Sequence, residues 1–145
     1  MSFSKNNDYE NLIALLEGKI LPDDFLKMYR DRIDVSFSEA SIYRIITRVD
    51  IDSSIKIPVT YHHLVNILQK YFGNEMSDVQ LSHWAYFIIV GDWFVPEGDT
   101  IDEQWEAGDG LLWTYLNQLM TPQFCDGTVL ENINKMIEEL EKSYE

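Results

Sequence analysis

The chain has 145 residues, a length that fits one domain, residues 1–145, whose core needs no disulfide or metal to hold it together. Apolar residues make up 46% and aromatic residues 13%, which excludes the low-hydrophobicity composition of a disordered chain. With 25 acidic against 11 basic residues, the net charge of −14 disfavours nucleic acid and anionic membranes as partners and favours a cationic protein.

The cysteine content and the apolar runs indicate a cellular compartment. The single cysteine, Cys125, excludes an internal disulfide and fits a reducing environment. The first eight residues are mostly polar and lack the apolar segment of a secretory signal peptide. The longest unbroken apolar run, residues 84–90, is seven residues long, whereas about 20 are needed to cross a bilayer. We therefore expect a cytoplasmic protein without a membrane span.

Two helices joined by a glycine turn are predicted near the start of the chain. Asn7 or Asp8 is expected to cap the first helix, and Gly18 is expected to close it. Pro22 suits the first turn of a second helix, because the N–H that proline lacks has no partner there. The inner face of this second helix is predicted at Phe25, Met28, Tyr29 and Ile33.

The next segment is predicted to hold a third helix and a linker. Ser38 is expected to cap the helix, which carries Arg44 and Arg48 on its outer side. Residues 55–59 alternate apolar and polar side chains, but Pro58 weakens the case for a strand because it has no N–H to donate. We therefore predict a linker here.

A second pair of helices follows the linker. The fourth helix is predicted to begin after Thr60 and to stop at Gly73-Asn74, and Ser77 is expected to cap a fifth over residues 78–90. The fifth is apolar on nearly every side, which is typical of a helix in the middle of a bundle. Five apolar positions of residues 12–28 recur in residues 68–84 at an offset of 56, which indicates either two copies of a helical hairpin or the general likeness of any two amphipathic hairpins.

One long irregular connection is predicted over residues 91–110, where glycine and proline interrupt the helical pattern. Connections longer than about 12 residues are uncommon in compact domains and are often functional. Four of its carboxylates follow the i, i+3, i+4, i+7 spacing, so a short helix would place them on one face beside Trp105. These carboxylates are Asp99, Asp102, Glu103 and Glu106.

A sixth helix is predicted over residues 111–120 and a seventh from near Thr128. The fold class that these elements indicate is all-α. We expect a single-domain bundle of about six or seven helices built on helical hairpins, with residues 91–110 as its long acidic connection.

Charge is distributed unevenly along the chain. Residues 71–134 hold 11 acidic residues and no Lys or Arg, whereas the other 81 residues carry a net charge of only −3. Because protein surfaces usually intersperse both signs, this stretch indicates either an electrostatic function or a solvated face that only prevents aggregation. All four tryptophans also lie here. Trp84 and Trp113 follow helical apolar faces and are predicted to be core, while Trp93 and Trp105 are the candidates for a surface.

No residue pattern specifies a reaction. His62 and His63 are adjacent and point about 100° apart on a helix, which does not suit one shared metal, and no phosphate loop or nucleophile elbow occurs. We therefore expect no enzymatic activity, no cofactor and no metal. An alternative from the carboxylates alone is a metal-dependent enzyme that uses Asp99, Asp102 and Glu106.

The segment from Glu10 to Ile33, ENLIALLEGKILPDDFLKMYRDRI, resembles the opening helical hairpin of the colicin-like bacterial immunity proteins. The shared features are a short apolar helix, a GKI-type turn and a second helix that starts with acids and phenylalanine. Those proteins are small, acidic, helical and cytoplasmic, and they neutralise a basic nuclease toxin by covering its active site. The resemblance implies such a role here, but the connection from Asp92 to Asp109 and the last two helices have no counterpart in it.

The leading hypothesis is thus an immunity-type inhibitor that binds a cationic toxin, a nuclease, by occlusion without chemistry. Acidic side chains speed the encounter with a basic protein, and aromatic side chains supply short-range affinity. Two non-catalytic alternatives stay open: a nucleic-acid mimic and an adaptor without an electrostatic role. The predicted partner-binding residues are Asp92, Trp93, Glu97, Asp99, Asp102, Glu103, Trp105, Glu106 and Asp109.

Overall fold

The computed structural model describes residues 5–36, 38, 40–96, 111–120, 135, 137–139 and 142. These residues are mostly helical, and they include two short strands. The elements in chain order are α1 (Lys5–Leu16), α2 (Pro22–Met28), α3 (Ile42–Thr47), β1 (Ile57–Val59), α4 (Tyr61–Phe72), α5 (Asp78–Val90), β2 (Phe94–Pro96) and α6 (Leu111–Met120). The chain is therefore mainly helical, as the periodicity predicts.

Asp8 does not cap the first helix, because α1 already begins at Lys5. Its side chain is instead buried and accepts hydrogen bonds from the Tyr29 hydroxyl at 2.7 Å and from two Arg32 guanidinium nitrogens at 2.9 and 3.0 Å. A buried carboxylate is tolerated only when it is paired in this way. The contacts join α1 to the 3-10 turn Arg30–Arg32 that follows α2.

The second and third helices are shorter than the sequence predicts. Since α2 ends at Met28, Ile33 leaves the helical face and pairs with Val49 through an antiparallel bridge. Met28 is 41% exposed, so it does not belong to the inner face. The cap of α3 is Ser41 rather than Ser38, because the Ser41 Oγ accepts the hydrogen bond of the Arg44 N–H.

A two-stranded parallel sheet replaces the predicted linker and departs from the all-α class. Ile57 pairs with Phe94, and the residues of β1 alternate buried, exposed and buried. Pro58 lies at the exposed position, and the neighbouring Ile57 supplies the N–H that bonds to the Trp93 carbonyl next to β2. The burial of Ile57 and Val59 therefore stabilises β1 although it contains a proline. Its partner strand β2 lies at the beginning of the predicted irregular connection.

The two helical hairpins correspond in their bounds and turn positions, although two of the five matched apolar positions differ in burial: Leu16 is buried and Phe72 exposed, and Met28 is exposed and Trp84 buried. With the offset of 56, the first and last residues of α1 correspond to those of α4, and the start of α2 corresponds to the start of α5. The turn residues correspond as well, because Gly18 and Asn74 both have positive φ, at 77° and 65°. These are the residue types that adopt this left-handed conformation most readily. Each hairpin therefore turns in the same way after a helix of 12 residues.

The predicted bounds of the second hairpin are also confirmed. Thr60 and Ser77 precede α4 and α5 as their N-caps, and α4 stops at Gly73. Trp84 of α5 is fully buried, and its indole N–H donates to the Leu15 carbonyl of α1 at 3.1 Å. The buried apolar residues of the described chain form one cluster that runs from Leu12 to Leu119.

The end of the chain is described only in part. The sixth helix has the predicted bounds, and residues 135, 137–139 and 142 are helical. The predicted start of the seventh helix near Thr128, the Trp113 side chain and Cys125 lie outside the described residues. Within the part of the chain that the structure describes, no helix has the length and apolar character to cross a membrane.

Candidate functional site: an acidic stretch and a groove beside it

The predicted partner-binding stretch begins directly after α5. Asp92 is exposed there, and its backbone carbonyl accepts a hydrogen bond from the Lys56 ammonium group beside β1. Lys56, which lies outside the predicted partner-binding stretch, therefore contacts the first residue of that stretch. Seven of the nine predicted residues lie outside the described residues: Glu97, Asp99, Asp102, Glu103, Trp105, Glu106 and Asp109.

Trp93 does not lie at an exposed surface, which corrects its assignment as a partner-binding side chain. It is 4% exposed, and its indole N–H donates to the Ile51 carbonyl at 3.4 Å. Its backbone carbonyl accepts a hydrogen bond from the Ile57 N–H at 2.7 Å, which holds the Trp93 backbone beside β1. Gly91 packs closely against the ring, since a Cβ at this position would lie 2.8 Å from the Trp93 Cε3 atom.

An open groove lies along α5, which we call the α5 groove. One face of the helix lines it at Val79, Ser82, His83 and Tyr86, with the i, i+3, i+4, i+7 spacing of a single stripe. Ile42 of α3 and Met120 of α6 form its walls, and its volume is about 560 Å³. Among the residues that the structure describes, the helix that the sequence places in the middle of the bundle therefore has one face that lines an open groove.

The floor of the α5 groove is held by hydrogen bonds between helices. The Ser82 hydroxyl donates to the Met120 carbonyl at 2.6 Å, which joins α5 to α6. His83 Nδ1 lies 3.0 Å from Asp23 Oδ1, which joins α5 to the first turn of α2. Because the Ser82 proton is directed to Met120, these three side chains do not form a nucleophile and base pair.

His83 also lines a second, smaller groove of about 400 Å³. Lys27 and Arg30 line this second groove, whereas the described lining of the α5 groove contains Asp78 and no Lys or Arg. The pair of His83 and Asp23 has no signal in the sequence, because its partners are 60 residues apart and belong to no spacing motif. The other two histidines have ordinary surroundings: His63 accepts the Thr60 N–H at 3.0 Å, and His62 is exposed beside the Tyr61 ring.

Three tyrosine hydroxyls donate to carboxylates near the core. Burial raises the pKa of Tyr29 to about 12. The hydrogen bond from the Asn11 amide lowers this pKa, whereas the hydrogen bond to Asp8 raises it. Burial likewise raises the pKa of Tyr71 and that of Tyr115 to about 12, assisted by Asp78 and Glu139. Asp78 therefore has one partner already, and it also lines the α5 groove.

The described residues contain no group of three or more His, Cys, Asp or Glu side chains that could hold a metal ion. The carboxylates of the metal-enzyme alternative, Asp99, Asp102 and Glu106, lie outside those residues. Comparison with protein-family models, with curated proteins and with solved structures finds no match to this chain.

Proposed function

We propose that the chain is an immunity-type inhibitor, a single-domain helical bundle that acts in the bacterial cytoplasm. Its partner is a cationic toxin, a nuclease domain, which it occludes with an acidic surface. The contact surface is the acidic connection from Asp92 to Asp109, which lies within the stretch of residues 71–134 that has no Lys or Arg, and no catalytic step is involved.

The observation that carries the proposal is the spatial continuity of the stretch without Lys or Arg. Its described part supplies α5, β2 and α6, and α5 packs more extensively against α6 than any other two elements pack against each other. All four arginines of the chain lie in residues 30–48, outside this stretch. Arginine is therefore confined to elements outside the stretch, and Lys56 approaches the stretch at the Asp92 carbonyl.

Such a surface suits an inhibitor for physical reasons. Complementary charge raises the association rate to about 10⁸ M⁻¹s⁻¹ or more at low salt, compared with about 10⁵–10⁶ M⁻¹s⁻¹ for neutral surfaces. Fast capture matters for an antidote because the toxin acts as long as it is free. Occlusion also needs only a stable complex, so the inhibitor requires no reactive residue of its own.

Co-expression tests the proposal. The chain should restore the growth of cells that produce the basic C-terminal nuclease domain encoded beside it. A variant with four acids of the connection replaced by amides should fail to protect: Asp99→Asn, Asp102→Asn, Glu103→Gln and Glu106→Gln.

The matched control makes the same change of charge outside the acidic stretch. It replaces four exposed acids by amides, and it should protect as well as the unaltered chain: Glu10→Gln, Asp24→Asn, Asp31→Asn and Asp34→Asn. The proposal is overturned if the unaltered chain gives no protection. Equal loss of protection in both variants would show that total charge causes the effect, and the connection would then not be the contact surface.

A further inference from the structure

The face of α5 that lines the groove carries apolar side chains that the core leaves exposed or covers only in part. Val79 is 56% exposed, and Tyr86 is partly exposed two turns further along the same stripe. Phe87, on the other side of the helix, is fully buried. Residues of this kind at the surface of a monomeric protein are typical of a contact with another molecule when they line a continuous groove.

The described lining of the α5 groove contains a carboxylate but no Lys or Arg. Asp78 lies in it, and the histidine of its lining, His83, is paired with Asp23 at 3.0 Å. None of the described residues that line the groove is Lys or Arg. Two of its three walls, α5 and α6, belong to the stretch of residues 71–134 that has no Lys or Arg at all. An apolar ligand with a cationic side chain complements this lining.

We propose that the α5 groove receives an amphipathic helix of the basic partner, with an apolar side chain between Ile42 and Met120 and a Lys or Arg opposite Asp78. This inference rests on the proposed function and names the segment of the partner that is bound. A helix fits because the i, i+3, i+4, i+7 stripe of α5 presents a ridge and a groove along its axis, which a second helix can match. Binding in the groove adds to the contact that the acidic connection is proposed to make with the partner.

The test uses a defined probe, a 14-residue helical peptide of leucine and lysine with leucine along one face. Titration into the ¹⁵N-labelled chain should shift the backbone amide signals of Val79, Ser82 and Tyr86. A peptide with glutamate in place of lysine should leave them unchanged. Val79→Arg should weaken binding of the lysine peptide at least 10-fold, because it places a charge in the apolar part of the groove.

Phe72→Arg is the matched control, since Phe72 is 50% exposed on α4 and does not line the groove. It makes the same change of charge and should bind the peptide like the unaltered chain. Equal effects of the two variants, or amide shifts elsewhere than along α5, would overturn the groove as a binding site. So would dimerisation in sedimentation experiments that Val79→Arg abolishes, because a second copy would then be the occupant.

The co-expression assay separates failure of this inference from failure of the proposed function. If Val79→Arg protects cells fully while the four-amide variant does not, the inhibitor role stands and the groove is removed from it. If the unaltered chain does not protect although the peptide binds along α5, the inhibitor role fails and the groove remains a site for cationic helices. A large fall in melting temperature for Val79→Arg, without a change in peptide affinity, would assign the face to packing within the chain and overturn the inference.

Discussion

Asp8 receives three hydrogen bonds from Tyr29 and Arg32, and it is the one charged residue classed as buried in the described part of the chain. The same contacts raise the pKa of Arg32 above its usual value. Neutralising the carboxylate weakens two charged hydrogen bonds of the Arg32 guanidinium group, whose side chain is only 22% exposed. We expect Asp8→Asn to lower the free energy of unfolding by about 2–3 kcal/mol.

Urea denaturation near pH 7 measures this effect. Glu75→Gln is the matched control, because Glu75 is exposed and the substitution also neutralises one carboxylate. It should change the free energy of unfolding by no more than about 0.5 kcal/mol. A loss for Asp8→Asn as small as that of the control would show that the buried network contributes little to stability.

Tyr29 predicts a loss of stability at alkaline pH. Its pKa is about 12 in the folded chain and 10.0 in the unfolded reference, so the folded state keeps the proton that the unfolded state releases. This contribution is complete below pH 10 and is lost as pH rises through 12, at up to about 1.4 kcal/mol per pH unit. Urea denaturation at pH 9, 10 and 11 should show a shallower decline for Tyr29→Phe.

The control for this pH dependence is Tyr43→Phe, because Tyr43 is 57% exposed. Its decline between pH 9 and pH 11 should match that of the unaltered chain. Parallel declines for all three proteins would mean that Tyr29 is not the group responsible.

At the scale of elements, the turn of the first hairpin depends on glycine. Gly18 has a φ of 77°, and an added Cβ would lie 2.9 Å from Ile67 Cδ1 and 2.9 Å from Lys70 Cδ. We expect Gly18→Ala to lower the free energy of unfolding by about 1–3 kcal/mol, through backbone strain and displacement of α4 side chains. Thermal denaturation followed by circular dichroism measures it.

Gly73 provides the comparison at the second hairpin. It has a negative φ of −82°, and an added Cβ would meet its nearest atom at 3.4 Å, an ordinary contact. Gly73→Ala should therefore be neutral within about 1 kcal/mol or slightly stabilising. Similar losses at both glycines would contradict the assignment of Gly18 as the constrained turn residue.

Local signals predicted the second hairpin and the sixth helix well, whereas the caps expected at Asp8 and Ser38 were wrong. The N-caps Thr60 and Ser77 and the helix ends near Gly73 and Met120 are all set by residues within a few positions. The short α3 and the sheet were not predicted. Their free energy comes from partners distant in the chain, such as Phe94 opposite Ile57, and these partners leave no local pattern.

At the scale of the whole molecule, the net charge of −14 predicts how association should depend on salt. If the proposed complex forms by attraction between exposed charges, its association rate should fall at least about 10-fold between roughly 0.02 and 0.5 M NaCl, while its dissociation rate changes much less. Stopped-flow measurement with the purified nuclease domain gives both rates. An association rate that is independent of salt would contradict an electrostatic role for the acidic surface.

The sequence by itself determined the mainly helical class, the repeated hairpin and the separation of charge along the chain, because each follows from residue type and local spacing. Tertiary structure decided which of those residues are available for function. It buried Trp93, paired His83 with Asp23 and, among the described residues, left a groove along α5 between α3 and α6. The reason is that burial is a property of neighbours in space: the same apolar helix becomes core or binding surface according to what packs against it.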